Sequence, residues 1–247
     1  MTVLGLVRKE LLLYFTSFLF WIVAAIFLAL CGFLFYTNLD FFVRFGGMNL
    51  VRGLWQYQFF DMRERFLVLI PLLTMRLFAE ERRLGTLELL WTYPLRDAEI
   101  IAGKFLACLF VVTLMLAATA AYPLVLSRLQ PVDPGPLLAG YLGLWLLAAA
   151  FVACGLFLSA LTDSQLIAGA ATYGVLFFFW MLTWNEAAVS SGALAVLKPL
   201  SLFDRFEIFA QGGIDTRDVC YLVLFTTAFL AFTFFALDAR RLRGLGT

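Results

Sequence analysis

Histidine is absent from all 247 residues, and only 14% of them are charged. The first absence removes the commonest general base and the commonest metal ligand. The second puts the chain far below the roughly 25% charged residues of an ordinary soluble domain. Cysteine is sparse. Cys31, Cys108, Cys154 and Cys220 stand singly within or beside apolar runs, with no metal-site or redox spacing. They read as small apolar packing residues. A GxSxG elbow, an HExxH pair and a Cys/His nucleophile set are all missing. The one Gly-Lys pair, Gly103 and Lys104, is followed by Phe105 and lacks the upstream glycines of a nucleotide-binding loop. Carboxylates at membrane depth are too few for a proton relay. Neither catalysis nor a cofactor of the chain's own is therefore expected, and a net charge of +1 gives no attraction to nucleic acid.

What is abundant is apolar. Hydrophobic residues make up 63% of the chain, 28 of them phenylalanine, and they come in blocks of about 20, enough to cross ~30 Å of hydrocarbon. The blocks predict one all-α integral membrane domain over residues 1–247. Its six transmembrane helices fall at about 18–36, 58–79, 100–126, 137–161, 165–184 and 219–237. Residues 2–16 are amphipathic, with Leu4, Val7, Leu11 and Phe15 at helical spacing and Arg8, Lys9 and Glu10 between them. Such a helix lies in the membrane interface. Residues 185–216 are too polar to span and too apolar to float free, which fits a re-entrant or interfacial hairpin.

The second span is the least regular. Asp61, Arg63, Glu64 and Arg65 precede its apolar core, and each charge costs about 2.5–3.5 kcal/mol at the bilayer centre. The helix is therefore expected to begin near Trp55 or Gln58, with these charges close to one headgroup layer or facing protein. Asp61 and Arg65, four apart, are expected to pair. A solvated helix end and a contact with a polar substrate headgroup both remain open for the four. Close helix approach is expected at the small residues Ala148–Ala150, Ala153 and Gly155, and at Ala168–Ala171 with Gly174.

An even number of spans puts both termini on one side. That side carries Arg8, Lys9, Arg82, Arg83, Arg96, Arg240, Arg241 and Arg243, against eight basic residues on the other, so the positive-inside count does not decide orientation. The clustering of bases in the tail and in the 79–99 loop favours cytoplasmic termini. That loop reads as helix end, turn, short helix, turn. Gly85 supplies the left-handed turn, Thr86 caps the next helix with Glu88 in its first turn, and Leu87, Leu90 and Trp91 form its apolar side. Pro94 stops it, and Asp97 caps the following span.

The stretch Leu73–Leu95, with Glu81, Arg83, Gly85, Thr86, Leu87, Glu88 and Trp91, followed by Glu99–Leu106, resembles the type-2 ABC transporter permeases. It is most similar to their gliding-motility-associated branch. Val7–Leu11 with Phe15, Gly155–Gln165 and Phe203–Arg217 fit the same branch, so the resemblance covers nearly the whole chain. It implies a permease in the bacterial cytoplasmic membrane. Two permease chains, as a homo- or heterodimer in the lipid, would form a path along their interface above two separate ABC ATPase subunits that bind the ATP. Thr86–Trp91 would be the coupling helix, with Glu81, Arg83 and Gly85 also at the ATPase contact, 2–16 the elbow and 187–216 the re-entrant helices. An auxiliary membrane subunit with an extracytoplasmic domain accompanies gliding relatives. The chain departs from the branch at Asp61–Arg65, more polar than usual there and a candidate path entrance. A standalone secondary transporter or scaffold is the alternative; an embedded enzyme is a third reading.

Overall fold

The computed structural model describes residues 3–45, 50–86, 96–128, 133–184 and 200–244, and every regular element among them is helical. In chain order these are α1 (Val3–Thr16), α2 (Phe18–Phe45), α3 (Leu50–Thr74) and α4 (Ala79–Arg83). They are followed by α5 (Asp97–Thr119), α6 (Ala121–Ser127), α7 (Pro134–Leu161), α8 (Gln165–Trp184), α9 (Leu202–Ala210) and α10 (Thr216–Gly244). Among the described residues, five stretches are long and apolar enough to cross a membrane: Phe18–Arg44, Asp97–Ser127, Pro134–Leu161, Gln165–Thr183 and Thr216–Ala239.

α3 is long but not apolar enough to join them. Its 25 residues make a rod of about 37 Å, and it begins at Leu50, eight residues before the expected start of a span at 58. Residues 38–45 and 50–58 are helical. Arg44 Nε lies 2.8 Å from Asp40 Oδ1 in an exposed pair along α2, and Asn38 Nδ2 donates to Asp61 Oδ2 at 2.7 Å. The four charges therefore sit in the middle of a helix rather than at its mouth. The rings of Phe27 and Phe66 stack at 6.2 Å, and those of Phe35 and Trp55 at 6.0 Å. This register runs α3 antiparallel to α2.

α7 is the axis of the bundle. Asp133 caps it by accepting from the Gly135 N–H at 3.0 Å, and Pro134 takes the first helical position, where its missing N–H is no loss. Ala148–Ala150, Ala153 and Gly155 are buried on it as expected. A Cβ at Gly155 would lie 2.2 Å from Thr74 Oγ1, and one at Gly140 would lie 2.1 Å from Phe59 Cε2. Both glycines let α3 approach the α7 backbone. The second expected stripe holds only in part, because Ala168 is buried while Gly174 faces open space. The third expected span is broken at Ala120, where Pro123 removes the backbone donor that would have reached residue 119. Asp97 is the first residue of α5 rather than its cap; the cap is Arg96, whose N–H donates to Glu99 Oε2 at 2.9 Å.

The hairpin expected over 185–216 lies largely outside the described residues; its described part is α9. This helix starts at Ser201, whose Oγ accepts from the Asp204 N–H. Phe203, Phe206 and Phe209 are buried. Phe203 stands beside Phe151, while Gly212, at φ +88°, sits against Pro136 near the start of α7.

The two glycine environments predict opposite signs. Gly155→Ala should lower the stability of the purified chain by about 1–3 kcal/mol through overpacking, whereas Gly174→Ala should leave it unchanged or raise it by up to about 1 kcal/mol. Thermal unfolding followed by size-exclusion profiles tests the pair; equal shifts would contradict the packing of α3 on α7.

Candidate functional site: a buried ion cluster under the first helix

α1 presents two stripes. Leu6, Glu10 and Tyr14, spaced four apart, are buried against α5 and the α3–α4 turn, while Leu4 and Leu12 remain largely exposed. The buried stripe was not the one marked by the sequence spacing. Leu6 packs onto Gly103, where a Cβ would come within 2.8 Å of its Cδ2. This close approach brings the next turn of each helix together.

There Lys104, fully buried, places Nζ 2.8 Å from Glu10 Oε1 and 2.9 Å from Glu81 Oε2. Glu81 Oε1 in turn lies 3.2 Å from Lys9 Nζ. The Phe78 ring completes the enclosure, its centroid 5.2 Å from the ammonium. Two ammonium and two carboxylate groups, drawn from α1, α4 and α5, thus neutralise one another, with Lys104, Glu10 and Glu81 buried and Lys9 at the solvent edge. Pairing of this kind offsets desolvation only where the buried charge has close partners. Lys104 has two carboxylates and an aromatic face.

The turn between α3 and α4 is stitched from both sides. Tyr14 donates its hydroxyl to the Leu73 carbonyl at 2.9 Å; burial pushes its phenol well above the usual range, so it remains a donor. Ser159 of α7 accepts from the Phe78 and Ala79 N–H groups, both at 3.1 Å, and donates to the Met75 carbonyl at 3.2 Å. One hydroxyl thereby satisfies backbone groups that the helix ends leave without partners. Arg76 pairs with Glu80 at 2.9 Å and donates to Ser17, and Arg82 lies 2.9 Å from Asp163 in the α7–α8 turn.

α4 ends at Gly85, φ +68°. The Gly85 N–H donates to the Arg82 carbonyl at 3.0 Å and the Thr86 N–H to the Glu81 carbonyl at 2.9 Å, the paired bonds of a Schellman stop. The Thr86 hydroxyl also turns back to the Glu81 carbonyl, at 3.1 Å. It closes the helix behind it; the helix it was expected to cap lies outside the described residues. Arg83 and Gly85 are exposed, whereas Glu81 is turned inward. Leu87, Glu88 and Trp91 lie outside the described residues. An open crevice of about 270 Å³ lies between α1 and α4, walled by Lys9, Leu13, Arg76, Glu80, Leu84 and Thr86 among others.

Asp61, Arg63, Glu64 and Arg65 do not act as one group. Arg63 points into the bundle: its guanidinium carbon is 4.8 Å from the Phe60 ring centre and 5.1 Å from that of Phe203, and Nη1 donates to the Phe203 carbonyl at 3.2 Å. It locks α9 to α3. Asp61, Glu64 and Arg65 lie on the opposite side, facing α2. The expected Asp61–Arg65 pair does not form, because Asn38 takes the carboxylate.

The ion cluster was missed by sequence reasoning, although two signals were there. A glutamate stood at Glu10 in a Leu6–Glu10–Tyr14 stripe, and a lysine stood about one turn into the third span, at Lys104. An ionisable residue at such depth has a partner by default.

A family model described as ABC-2 family transporter protein matches residues 4–242. No curated protein matches the chain.

Lys104→Met should leave Glu10 and Glu81 buried without a counter-charge and destabilise the protein by about 3–5 kcal/mol. Adding Glu10→Gln and Glu81→Gln to it should recover most of that loss. Thermal unfolding in detergent checks both; a neutral single variant would mean the cluster is hydrated and weak.

Proposed function

The chain belongs to the ABC-2 family of transporter proteins, as a membrane permease component of an ABC transporter, and from that premise we propose that separate ATPase subunits drive it through the segment that begins at α4. ABC-2 permeases work with ABC ATPase partners and form dimers. The reading assigns ATP binding and hydrolysis to those partners, and to this chain the conversion of their motion into export or mechanotransmission. The gliding-motility branch is the narrower placement that the stretch Leu73–Leu95 favours.

One observation supports this most. Glu81 reaches Lys104 on α5 and Lys9 on α1, while Arg82 reaches Asp163 at the α7–α8 turn. A push delivered at exposed Arg83 and Gly85 therefore meets a segment fastened to three separate parts of the bundle. Rigid contact and unequal binding of two conformations suffice for such coupling. In this reading Glu81, Arg83, Gly85, Thr86, Leu87, Glu88 and Trp91 carry the ATPase contact, with Glu81 acting from inside.

α3 serves as the second of six crossings. It runs antiparallel to α2 and returns the chain to the level of α1, where Tyr14 meets Leu73 and Arg76 meets Ser17. Six crossings put both termini on the cytoplasmic face of the membrane with the ATPases, and α1 becomes the elbow in the interface. α9 becomes a re-entrant arm: its Phe203 end meets Phe151, 17 residues and thus roughly 25 Å along α7 from Pro134.

Co-purification with the ATPase encoded beside this gene tests the proposal. A stable complex is expected, with Arg83→Glu lowering permease-dependent ATP hydrolysis about tenfold and Gly85→Ala costing roughly 1–2 kcal/mol of local backbone strain without loss of the fold. A chain that elutes alone and moves a solute down an ion gradient would support the standalone transporter instead.

A further inference from the structure

α3 carries one face, away from the ion cluster, that the bundle leaves partly open. Asp61, Glu64, Arg65, Val68, Leu69 and Leu72 follow one another along it at alternating steps of three residues and one. They line a groove of about 320 Å³ whose other wall is Val23, Ile26, Phe27 and Leu30 of α2. The α2 wall is wholly apolar. Ile26, Leu30 and Val68 are exposed at the mouth, so the groove opens on the outside of the chain.

The polar end is deep. Arg65 lies nine residues from Thr74, about 14 Å along the helix, and Asp61 about 20 Å. Half of a bilayer core is about 15 Å. At that depth Glu64 keeps half of its side chain exposed, with only a 3.9 Å contact to Arg63. Arg65 Nη1 is buried and has no hydrogen-bond partner among the described residues. Charges at mid-depth face either protein or an occupant that answers them.

We propose that this groove holds the headgroup of a zwitterionic aminophospholipid, with its chains along the apolar wall. The inference rests on the reading of α3 as a membrane crossing. A phosphate matches the planar fork of Arg65. A primary ammonium, with three N–H donors, matches Glu64 and the remaining oxygen of Asp61. Two carboxylates and one guanidinium leave the site one negative charge, so an anionic lipid without an amine fits it poorly. The apolar wall selects an amphiphile over free phosphoethanolamine.

The test is lipid retention by the purified chain, read by native mass spectrometry in nanodiscs of phosphatidylethanolamine, phosphatidylcholine or phosphatidylglycerol. The ethanolamine lipid should be retained about tenfold better than either of the others, the worth of one charge-assisted contact. Arg65→Gln should lower retention of all three lipids, which share the phosphate, while Arg65→Lys keeps it within about threefold. Glu64→Gln should shift retention toward phosphatidylglycerol, which keeps the test open should Arg65→Gln fail to fold. Soluble phosphoethanolamine should not compete. Equal retention of the three lipids, unchanged retention in both neutral variants, or competition by soluble phosphoethanolamine overturns the proposal. So does disulfide cross-linking between copies through Val68→Cys in a Cys220→Ser background, because a second chain would then close the groove. Loss of lipid preference with an intact ATPase complex refutes this inference alone. A missing ATPase complex with the preference intact refutes the coupling reading alone.

Discussion

The buried ammonium of Lys104 is the constraint from which the rest of this end of the molecule follows. A lysine without water needs carboxylates within about 3 Å, and here they arrive from two elements distant in sequence, Glu10 and Glu81. Neither α1 nor α4 can slide along α5 without breaking one of those contacts. The position of α1 then sets the α3 end, because Tyr14 is carried on the same stripe to the Leu73 carbonyl. Ser159 fixes the same turn from α7. Five helices are thus referred to one charge.

A second constraint keeps a polar helix within the bundle. α3 tolerates charge because each charge facing the interior has a local answer. Arg63 lies between the Phe60 and Phe203 rings and reaches a carbonyl; on the groove side Asp61 keeps one contact, to Asn38. Glycines on α7 let α3 come close enough for dense packing, which in a bilayer supplies the attraction that hydrophobicity does not. The same helix leaves Glu64 and Arg65 on its opposite face without such answers, and that asymmetry separates structural charge from charge available to an occupant.

Much of this was legible in the sequence and some was not, for physical reasons. Apolar runs located α2, α5, α7, α8 and α10, because lipid demands unbroken apolar length. The Gly85 turn was legible because few residues other than glycine take its φ of +68°. α3 was truncated because its polar residues were weighed as if facing lipid, when their partners Asn38 and Phe203 come from other parts of the chain. The ion cluster was invisible for the same reason: its members are 94 and 72 positions apart. The direction of each charge on α3 was within reach, however, since Arg63 stands two residues, and so about 200° around the helix, from Asp61.

The two ends of α3 give a physical account of how one segment can serve coupling and binding together. At its Thr74 end the helix is held by α1 and α7 through backbone hydrogen bonds, with Pro71 one turn inside that end. At its middle the groove toward α2 is half open. A displacement of α4 cannot be absorbed at the stitched turn without losing the Ser159 and Tyr14 contacts, so it passes into α3 as a whole or tilts it at Pro71, where one backbone donor is already missing. Either movement changes the spacing between α3 and α2 at Glu64 and Arg65, because α2 is joined to α1, where Trp21 Nε1 donates to the Phe15 carbonyl, and α1 is held by the cluster. Packed interfaces of this kind shift between discrete arrangements rather than deforming continuously. A widening or closing of that groove is therefore the mechanical counterpart of a push on α4, and any group that binds in the groove is, by reciprocity, able to bias the segment to which the proposed function assigns the ATPase contact.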